Sequence, residues 1–205
     1  MAKIIYVMSM SLDGFIAGPD DGETYPLGRD GESLHGWLGP GGTDPESLRP
    51  ESGPSTQVFD EMLATGAVIT GRRTMELAGA WGGDHHDGVP VFVATHTAPD
   101  GPPQGHIRFV TDGIESCVAQ AKAAAGTRDV MLHGAYTARE CLRAGLLDEL
   151  EIALVPVLLG GGRTLFDGPA RAELELVRTI AAPVVTHLRY RVRSNTGSNT
   201  VGVGL

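Results

Sequence analysis

The chain has 205 residues, 41% of them apolar, and a formal charge of -9. That length suits one domain, since two would each have a thin core, and the apolar share excludes wholesale disorder. The negative charge argues against a generic nucleic-acid or anionic-membrane surface, because phosphates are repelled. A small anionic ligand held by a local cluster of donors stays open.

The first seven residues lack the apolar region and cleavage site of a signal peptide and read as a first strand. No stretch reaches the roughly 18 apolar residues of a membrane helix. Cys117 and Cys141 both fall in predicted helices. They read as buried free thiols of a cytoplasmic protein rather than as a disulfide framework.

Residues 4–10 form an apolar run ending at Ser11-Leu12-Asp13-Gly14, a strand giving way to a turn. Residues 19–56 are rich in Gly, Pro, Asp, Glu and Ser. A loop of that length inside a domain is usually functional or mobile, and Trp37 and Leu38 are its candidates for packing onto a neighbour. Residues 58–63 read as a short helix. Residues 67–70 are a buried strand that Gly71-Arg72-Arg73-Thr74 turns into a helix through Leu77. Residues 91–95 and 107–110 are further strands. Asp112 is expected to cap a helix over 114–125, with Glu115 completing a capping box and Ile114, Cys117, Val118 and Ala121 on the buried face.

Val130-Met131-Leu132 is another short strand. His133-Gly134-Ala135 then opens a helix to Arg143, closed by Gly145 as a left-handed C-cap. Residues 150–157 alternate Leu150, Ile152 and Leu154 against Glu149, Glu151 and Ala153. Residues 174–180 and 184–192 form a closing antiparallel pair, with His187, Arg189 and Arg191 on one face of the second strand. Residues 194–205 are a polar tail expected to fray. No repeat is present. Strands and helices alternate early and strands dominate late. This predicts an α/β domain over residues 1–193: a central, mainly parallel sheet with flanking helices and antiparallel C-terminal edge strands.

Four strand ends carry residues suited to a ligand, and ligands of open α/β sheets bind outside the carboxyl ends of the strands. Thr70-Gly71-Arg72-Arg73-Thr74 offers a helix start, a small residue, a hydroxyl and two cations, a phosphate site or simply a capped turn with solvated arginines. Leu132-His133-Gly134-Ala135-Tyr136-Thr137 permits close approach and a donor, or is a plain turn. The triple glycine Gly160-Gly161-Gly162 allows unusual backbone angles beside a ligand, or is a loose connection. Thr95-His96 ends a strand, with His96 either a ligand contact or a solvated loop residue. Neither G-x-G-x-x-G nor G-x-x-x-x-G-K-[ST] occurs, so an ordinary Rossmann domain and a P-loop lose support.

Asp13, just after the first strand, could accept or relay a proton, or could bond its own turn. Asp60 and Glu61 read as exposed helix carboxylates or as groups reaching a pocket. Asp84-His85-His86-Asp87 fits a solvated loop better than a metal site, because adjacent loop residues lack a partner cluster.

The ordered set Met10-Ser11-Leu12-Asp13-Gly14-Phe15-Ile16-Ala17, Gly71-Arg72-Arg73-Thr74, Pro90-Val91-Phe92-Val93-Ala94-Thr95-His96 and Gly145-Leu146-Leu147-Asp148-Glu149-Leu150 through Pro156-Val157-Leu158-Leu159-Gly160-Gly161-Gly162 resembles a known family. It is the bacterial dihydrofolate-reductase-like family that shares its domain with the riboflavin-biosynthesis reductase. The resemblance runs to about Val192. It implies a dihydrofolate-reductase-like fold and NADPH as cofactor. It implies that Gly71, Arg72 and Thr74 hold phosphates, that Thr95 and His96 lie near the adenosine end, and that Gly134, Ala135, Tyr136 and Thr137 cradle the pyrophosphate. It further implies that Ile16 and Ala17 lie near the nicotinamide and that Gly160, Gly161 and Gly162 line the cleft. The chain departs from the family at His133-Gly134, where two glycines are frequent. Dihydrofolate reductases proper also place an acid in the helix before the Gly-Arg turn, at wider spacing than Asp60 or Glu61.

The resemblance points to hydride transfer from NADPH to a small heterocyclic substrate, with Asp13 as the candidate acid. A stand-alone pyrimidine reductase of riboflavin synthesis is the alternative enzyme, and a non-catalytic NADPH-binding protein is the alternative of another class. No nucleic acid, membrane or metal is implied. A homodimer is expected, because the family commonly pairs through its sheet edge and the closing strands would otherwise leave that edge open.

Overall fold

The computed structural model describes residues 2–39, 48–50, 52–167 and 171–193. The predicted tail, 194–205, and part of the 19–56 loop lie outside the described residues.

The apolar runs become strands: β1 (Ile4–Ser11), β3 (Ala67–Gly71), β4 (Val91–Ala94), β5 (Ile107–Val110), β6 (Val130–Leu132) and β7 (Glu149–Val155). Two longer strands, β9 (Glu173–Ala182) and β10 (Val185–Arg193), close the chain. Together they form one sheet of order β5-β4-β3-β6-β1-β7-β10-β9. It is parallel from β5 through β7, and β10 then runs antiparallel to both β7 and β9. This is the α/β architecture the alternation predicts. A ribbon of β2 (Phe15–Ala17) and β8 (Arg163–Thr164) stands beside it. Helices α1 (Pro54–Leu63), α2 (Arg72–Leu77), α3 (Ile114–Ala125) and α4 (Ala135–Arg143) complete the fold.

The sheet is covered on both faces, which is why its inner strands read as unbroken apolar runs. On one face Ile4, Tyr6, Ile69, Phe92, Leu132 and Ile152 pack against Cys117, Val118 and Ala121 of α3 and Ala138 and Cys141 of α4. Both cysteines are free and buried, and burial pushes each thiol up to about 12. The other face carries Ile5, Val7, Val68, Val91, Val93 and Met131. It continues into a third cluster around Leu34, Trp37, Leu38 and Phe59.

Three local expectations change. Helix α1 begins at Pro54, earlier than the apolar spacing indicates, because Gly53 at φ 89 turns the chain and proline suits a first helical turn. Within the predicted loop, Gly31–Leu38 forms a 3-10 segment whose Leu34, Trp37 and Leu38 are buried. Helix α3 has no capping box. Gly113, at φ 104, takes the N-cap position, so Asp112 sits one residue too early and accepts from Ser116 Oγ at 2.7 Å instead.

The largest departure from a simple pattern is on β7. Its acidic face is buried, with Glu149 and Glu151 only 2% and 4% exposed. Arg189 on β10 donates to Glu149 at 2.7 Å and to Glu61 of α1 at 3.0 Å. Arg178 on β9 makes a bidentate bond to Glu61, at 2.6 and 2.8 Å, and reaches Glu151 at 3.1 Å. Glu61 is therefore a half-buried, paired carboxylate that does not line the main cavity. It ties α1 to the antiparallel edge, with its carboxyl held below the usual range first by the Arg178 hydrogen bonds. Asp60 points away and pairs with Arg49 at 2.7 Å.

Trp37 anchors the 3-10 segment. Its Nε1–H donates to Ser9 Oγ at 2.8 Å, and its ring meets His187 edge-on at 4.8 Å between centroids. Trp37→Phe keeps an aromatic ring and removes that donor. It should lower unfolding free energy by about 1 kcal/mol, read as a drop in the urea midpoint at unchanged slope.

Candidate functional site

A single cavity of about 1010 Å³ runs along the carboxyl ends of the central strands and under the 3-10 segment and α1. Its first part is made by two strand-to-helix turns that fit into one another. A Cβ added to Gly71 would lie 2.8 Å from Thr137 Oγ1, and one added to Gly134 would lie 2.7 Å from Thr74 Oγ1. Each glycine thus makes room for the hydroxyl of the other turn's helix. Gly134 also sits at φ 87, so a side chain there would disturb the protein before it met any ligand. No side chain caps α4, which leaves its first-turn amides facing the cavity wall formed by Gly134, Ala135, Tyr136 and Thr137.

Arg72 extends from the first turn toward Thr97, with Nη1 3.5 Å from the Thr97 carbonyl, and pairs with Glu76 at 2.6 Å. Arg73 and Arg163 converge on Asp21. Arg163 makes a bidentate pair at 3.0 and 2.9 Å, and Arg73 donates to the Asp21 carbonyl at 2.6 Å and its carboxylate at 3.2 Å. Burial raises the Asp21 carboxyl, and the bonds from Arg163 and Arg73 outweigh it, holding the group below the usual range.

The middle of the cavity holds Trp81, His85 and His133. Ala80 and Trp81 adopt φ of 54 and 50, left-handed conformations that cost about 1–3 kcal/mol each in non-glycine residues and cluster at functional sites. That turn brings the Trp81 ring to 4.8 Å from His85. His133 Nδ1 lies 3.1 Å from the Val7 carbonyl, which only accepts, so Nδ1 carries the proton of the neutral ring. His133 Nε2 lies 3.1 Å from His85 Nε2, and His85 Nδ1 lies 2.8 Å from His86 Nδ1. Burial lowers all three, taking His133 to about 4 and His85 well below its ordinary value. In the expected solvated loop at Asp84-His85-His86-Asp87 the two aspartates are exposed, while His86 is buried and His85 half-buried, because His133 on the neighbouring strand end supplies a partner for His85. Among the described residues no group of three or more His, Cys, Asp or Glu is arranged to hold a metal ion.

The far end has Val7, Ser9, Glu151, Ala153 and His187 along its floor, from β1, β7 and β10. Trp37, Leu38, Val58, Phe59 and Met62 form its roof. His187 is 1% exposed, with Nε2 3.0 Å from Ser55 Oγ and Nδ1 without a partner among the described residues.

Of the residues singled out in the sequence, Ile16, Ala17, Gly71, Arg72, Thr74, Thr95, His96, Gly134, Ala135, Tyr136 and Thr137 all line this cavity. Asp13, Gly160, Gly161 and Gly162 are not among its lining residues. Asp13 accepts from Ser11 Oγ at 2.6 Å and from the Leu159 and Gly160 amides at 3.2 and 2.8 Å. The Ser11 bond foremost holds its carboxyl below the ordinary value. The carboxylate pointed at by the strand-end position is therefore claimed by the 159–160 turn. Gly162 serves packing too: a Cβ there would lie 2.1 Å from the Ala17 carbonyl. Sequence reading missed Asp21, Arg163, Trp81, Glu151 and His187. Only the charges inside the apolar β7 pattern hinted at any of them.

His133 and His187 are both lowered to about 4, mainly by burial, from an ordinary 6.5. Between those values the unfolded chain binds more protons, so stability rises with pH. Their contribution is full above pH 6.5 and is lost as pH falls toward 4. The melting temperature should drop by several degrees over that window, and His187→Gln should flatten the slope.

The cavity has uncapped helix amides and arginines at one end and aromatic and apolar side chains around Glu151 at the other. The RibD C-terminal domain model matches residues 2–188. The uncharacterized protein YwjB of Bacillus subtilis is 29% identical over 171 residues, 80% of this chain and 82% of that protein. A structure named as a riboflavin biosynthesis protein of Shewanella sp. PV-4 superposes with a TM-score of 0.71 at 23% identity, over 94% of this chain and 99% of that one. Dihydrofolate reductase from Enterococcus faecalis, complexed with NADP(H), superposes with a TM-score of 0.55 at 13% identity, over 93% and 96%. The fold is thus dihydrofolate-reductase-like, and the chain belongs to the RibD C-terminal domain family, as an oxidoreductase of the riboflavin-biosynthesis type.

Proposed function

We propose that the protein is an NADPH-dependent reductase that transfers hydride to a small heterocyclic substrate of pterin or pyrimidine type. Reduction of 5-amino-6-(5-phosphoribosylamino)uracil is the most specific form of this reading. The observation that carries it is the continuity of the cavity, which joins an end rich in free amides and arginines to a buried, ring-sized end containing one acid. A non-catalytic binder would need the first end only.

The residues present fit the cofactor. The uncapped first turn of α4 and the close approach at Gly134 suit a pyrophosphate. Arg72, with Thr95 and His96, suits the adenosine phosphate, and Ile16 and Ala17 form the wall where the two ends meet. Bound NADPH would supply the hydride, while the chain binds, orients and excludes water. Asp13 has a positioning role in this scheme, holding the 159–160 turn beside β2. The buried free thiols suit a cytoplasmic protein, and among the described residues no helix is long and apolar enough to cross a membrane.

If Arg72 reads the 2′-phosphate, Arg72→Ala should weaken NADPH binding about tenfold, roughly 1.4 kcal/mol, and leave NADH binding nearly unchanged. Calorimetric titration of both cofactors checks this. Equal losses would remove Arg72 from that role, and failure of the unaltered protein to bind NADPH would defeat the functional reading.

We also propose a homodimer through the antiparallel edge. Strand β9 is one of the sheet's two edge strands, with Leu174 and Leu176 43% and 55% exposed. Light scattering at micromolar concentration should give twice the chain mass, and Leu176→Lys should halve it.

A further inference from the structure

We propose that Glu151 is the proton donor of the reduction, recharged through a second, smaller cavity behind it. The inference rests on the reductase reading above. Hydride addition to a C=N or carbonyl group leaves a nitrogen or oxygen that needs a proton. Three acids line the main cavity: Asp21, Glu76 and Glu151. Asp21 is held by two arginines, and Glu76 is paired with Arg72 at the surface. Asp13 is outside. Five histidines line the main cavity: His35, His85, His133 and His187 are all lowered by burial, so none of these holds a spare proton near pH 7, and His96 sits beside Thr95 at the opposite, arginine-bearing end.

Glu151 differs from the other acids in place and in bonding. A second cavity of about 210 Å³, bordered by Thr65, Asp129 and Arg189, shares Glu151 with the main one, together with Val7, Val58 and Met62. The side chain is thus part of the partition between the two spaces. Its Oε2 accepts from Arg178 at 3.1 Å and lies 3.8 Å from Arg189. Its Oε1 has no hydrogen-bond partner among the described residues, although the residue is 96% buried. A buried oxygen without a partner calls for an explanation, and a carboxyl group that carries a proton toward a ligand supplies one.

The surrounding charges explain why Glu151 is the acid left over. Glu61 on α1 takes both short bonds of Arg178. Glu149, on the same strand, takes the short bond of Arg189 and is also paired with Lys3 at 2.8 Å. His187 on β10 is neutral, β1 offers only Val7 and Ser9, and Asp129 stands across the second cavity. Burial raises the Glu151 carboxyl, Arg178 and Arg189 pull it down, Glu61 pushes it up, and the net direction is upward.

The step balances. As hydride reaches the carbon of the C=N bond, the π pair of that bond moves to nitrogen. The Glu151 O–H bond breaks and an N–H bond forms. The substrate is reduced, the nicotinamide cofactor oxidised, and Glu151 is left as a carboxylate beside Arg178 and Arg189. A proton from water in the second cavity restores it.

Infrared difference spectra between the wild type and Glu151→Gln, recorded against pH with and without NADPH, isolate this carboxyl group. The protonated band should titrate above the ordinary glutamate value. Glu151→Gln should keep NADPH affinity within about twofold. On whichever pterin, folate or pyrimidine the wild type reduces, it should lose about a hundredfold in kcat, along with the high-pH limb of the rate profile. Glu151→Asp keeps an acid and should retain that limb, which separates proton donation from packing if the Gln variant folds poorly. A band that titrates at or below the ordinary value, or a Gln variant with unchanged kcat, overturns the role of Glu151 while NADPH binding still stands. A wild type that neither binds NADPH nor reduces any of these compounds overturns the reductase reading itself.

Discussion

The cavity exists because two strand-to-helix turns interlock. Parallel pairing of β3 with β6 brings Gly71 and Gly134 side by side at the same sheet edge. Each glycine leaves space that the opposite threonine hydroxyl fills, within 2.8 Å of where a Cβ would stand. A side chain at either position would push the turns apart, and the first-turn amides of α4 would move with them. The glycines that look in the sequence like room for a ligand are therefore first of all room for the protein, and the ligand surface follows from that fit.

The opposite end of the cavity depends on a charged layer rather than an apolar one. Strands β7, β9 and β10 present Glu149, Glu151, Arg178 and Arg189 to α1, which answers with Glu61. Burying so many charges is costly unless each is bonded, and nearly every oxygen and nitrogen in the layer is. The exceptions are Glu151 Oε1 and Arg178 Nε, and Glu151 lies where the layer borders the two cavities. Such a layer fixes the tilt of α1 and with it the position of Phe59 and Met62 over the ring-sized pocket.

Between these ends the wall is made by imidazoles. His133 occupies a strand end, and its side chain turns back to the Val7 carbonyl. The strained Gly79–Gly83 turn brings Trp81 and His85 against it. The bond to a backbone carbonyl that can only accept fixes the tautomer of His133. This wall is apolar in effect, since all three are held neutral by burial.

Much of the fold was legible in the order of residues. Unbroken apolar runs marked β1, β3, β4 and β6 as strands, because parallel strands covered on both faces have no polar side. The turns at Gly71 and Gly134 were legible for the same local reason, as small residues between a strand and a helix. Partnerships across the chain were not. Nothing near Asp13 in sequence shows that the amides of Leu159 and Gly160, about 146 residues on, claim its carboxylate. Nothing near Glu151 shows that α1 covers it, or that His85 will meet His133. Periodicity records which side of a strand is apolar, whereas the partner that lies over the polar side is chosen by how strands are ordered and helices cross. The sequence by itself determined the sheet, its direction and the amide-rich end of the cleft. Only the tertiary structure decided which acid faces the pocket, because that depends on which charges find partners when distant segments close over one another.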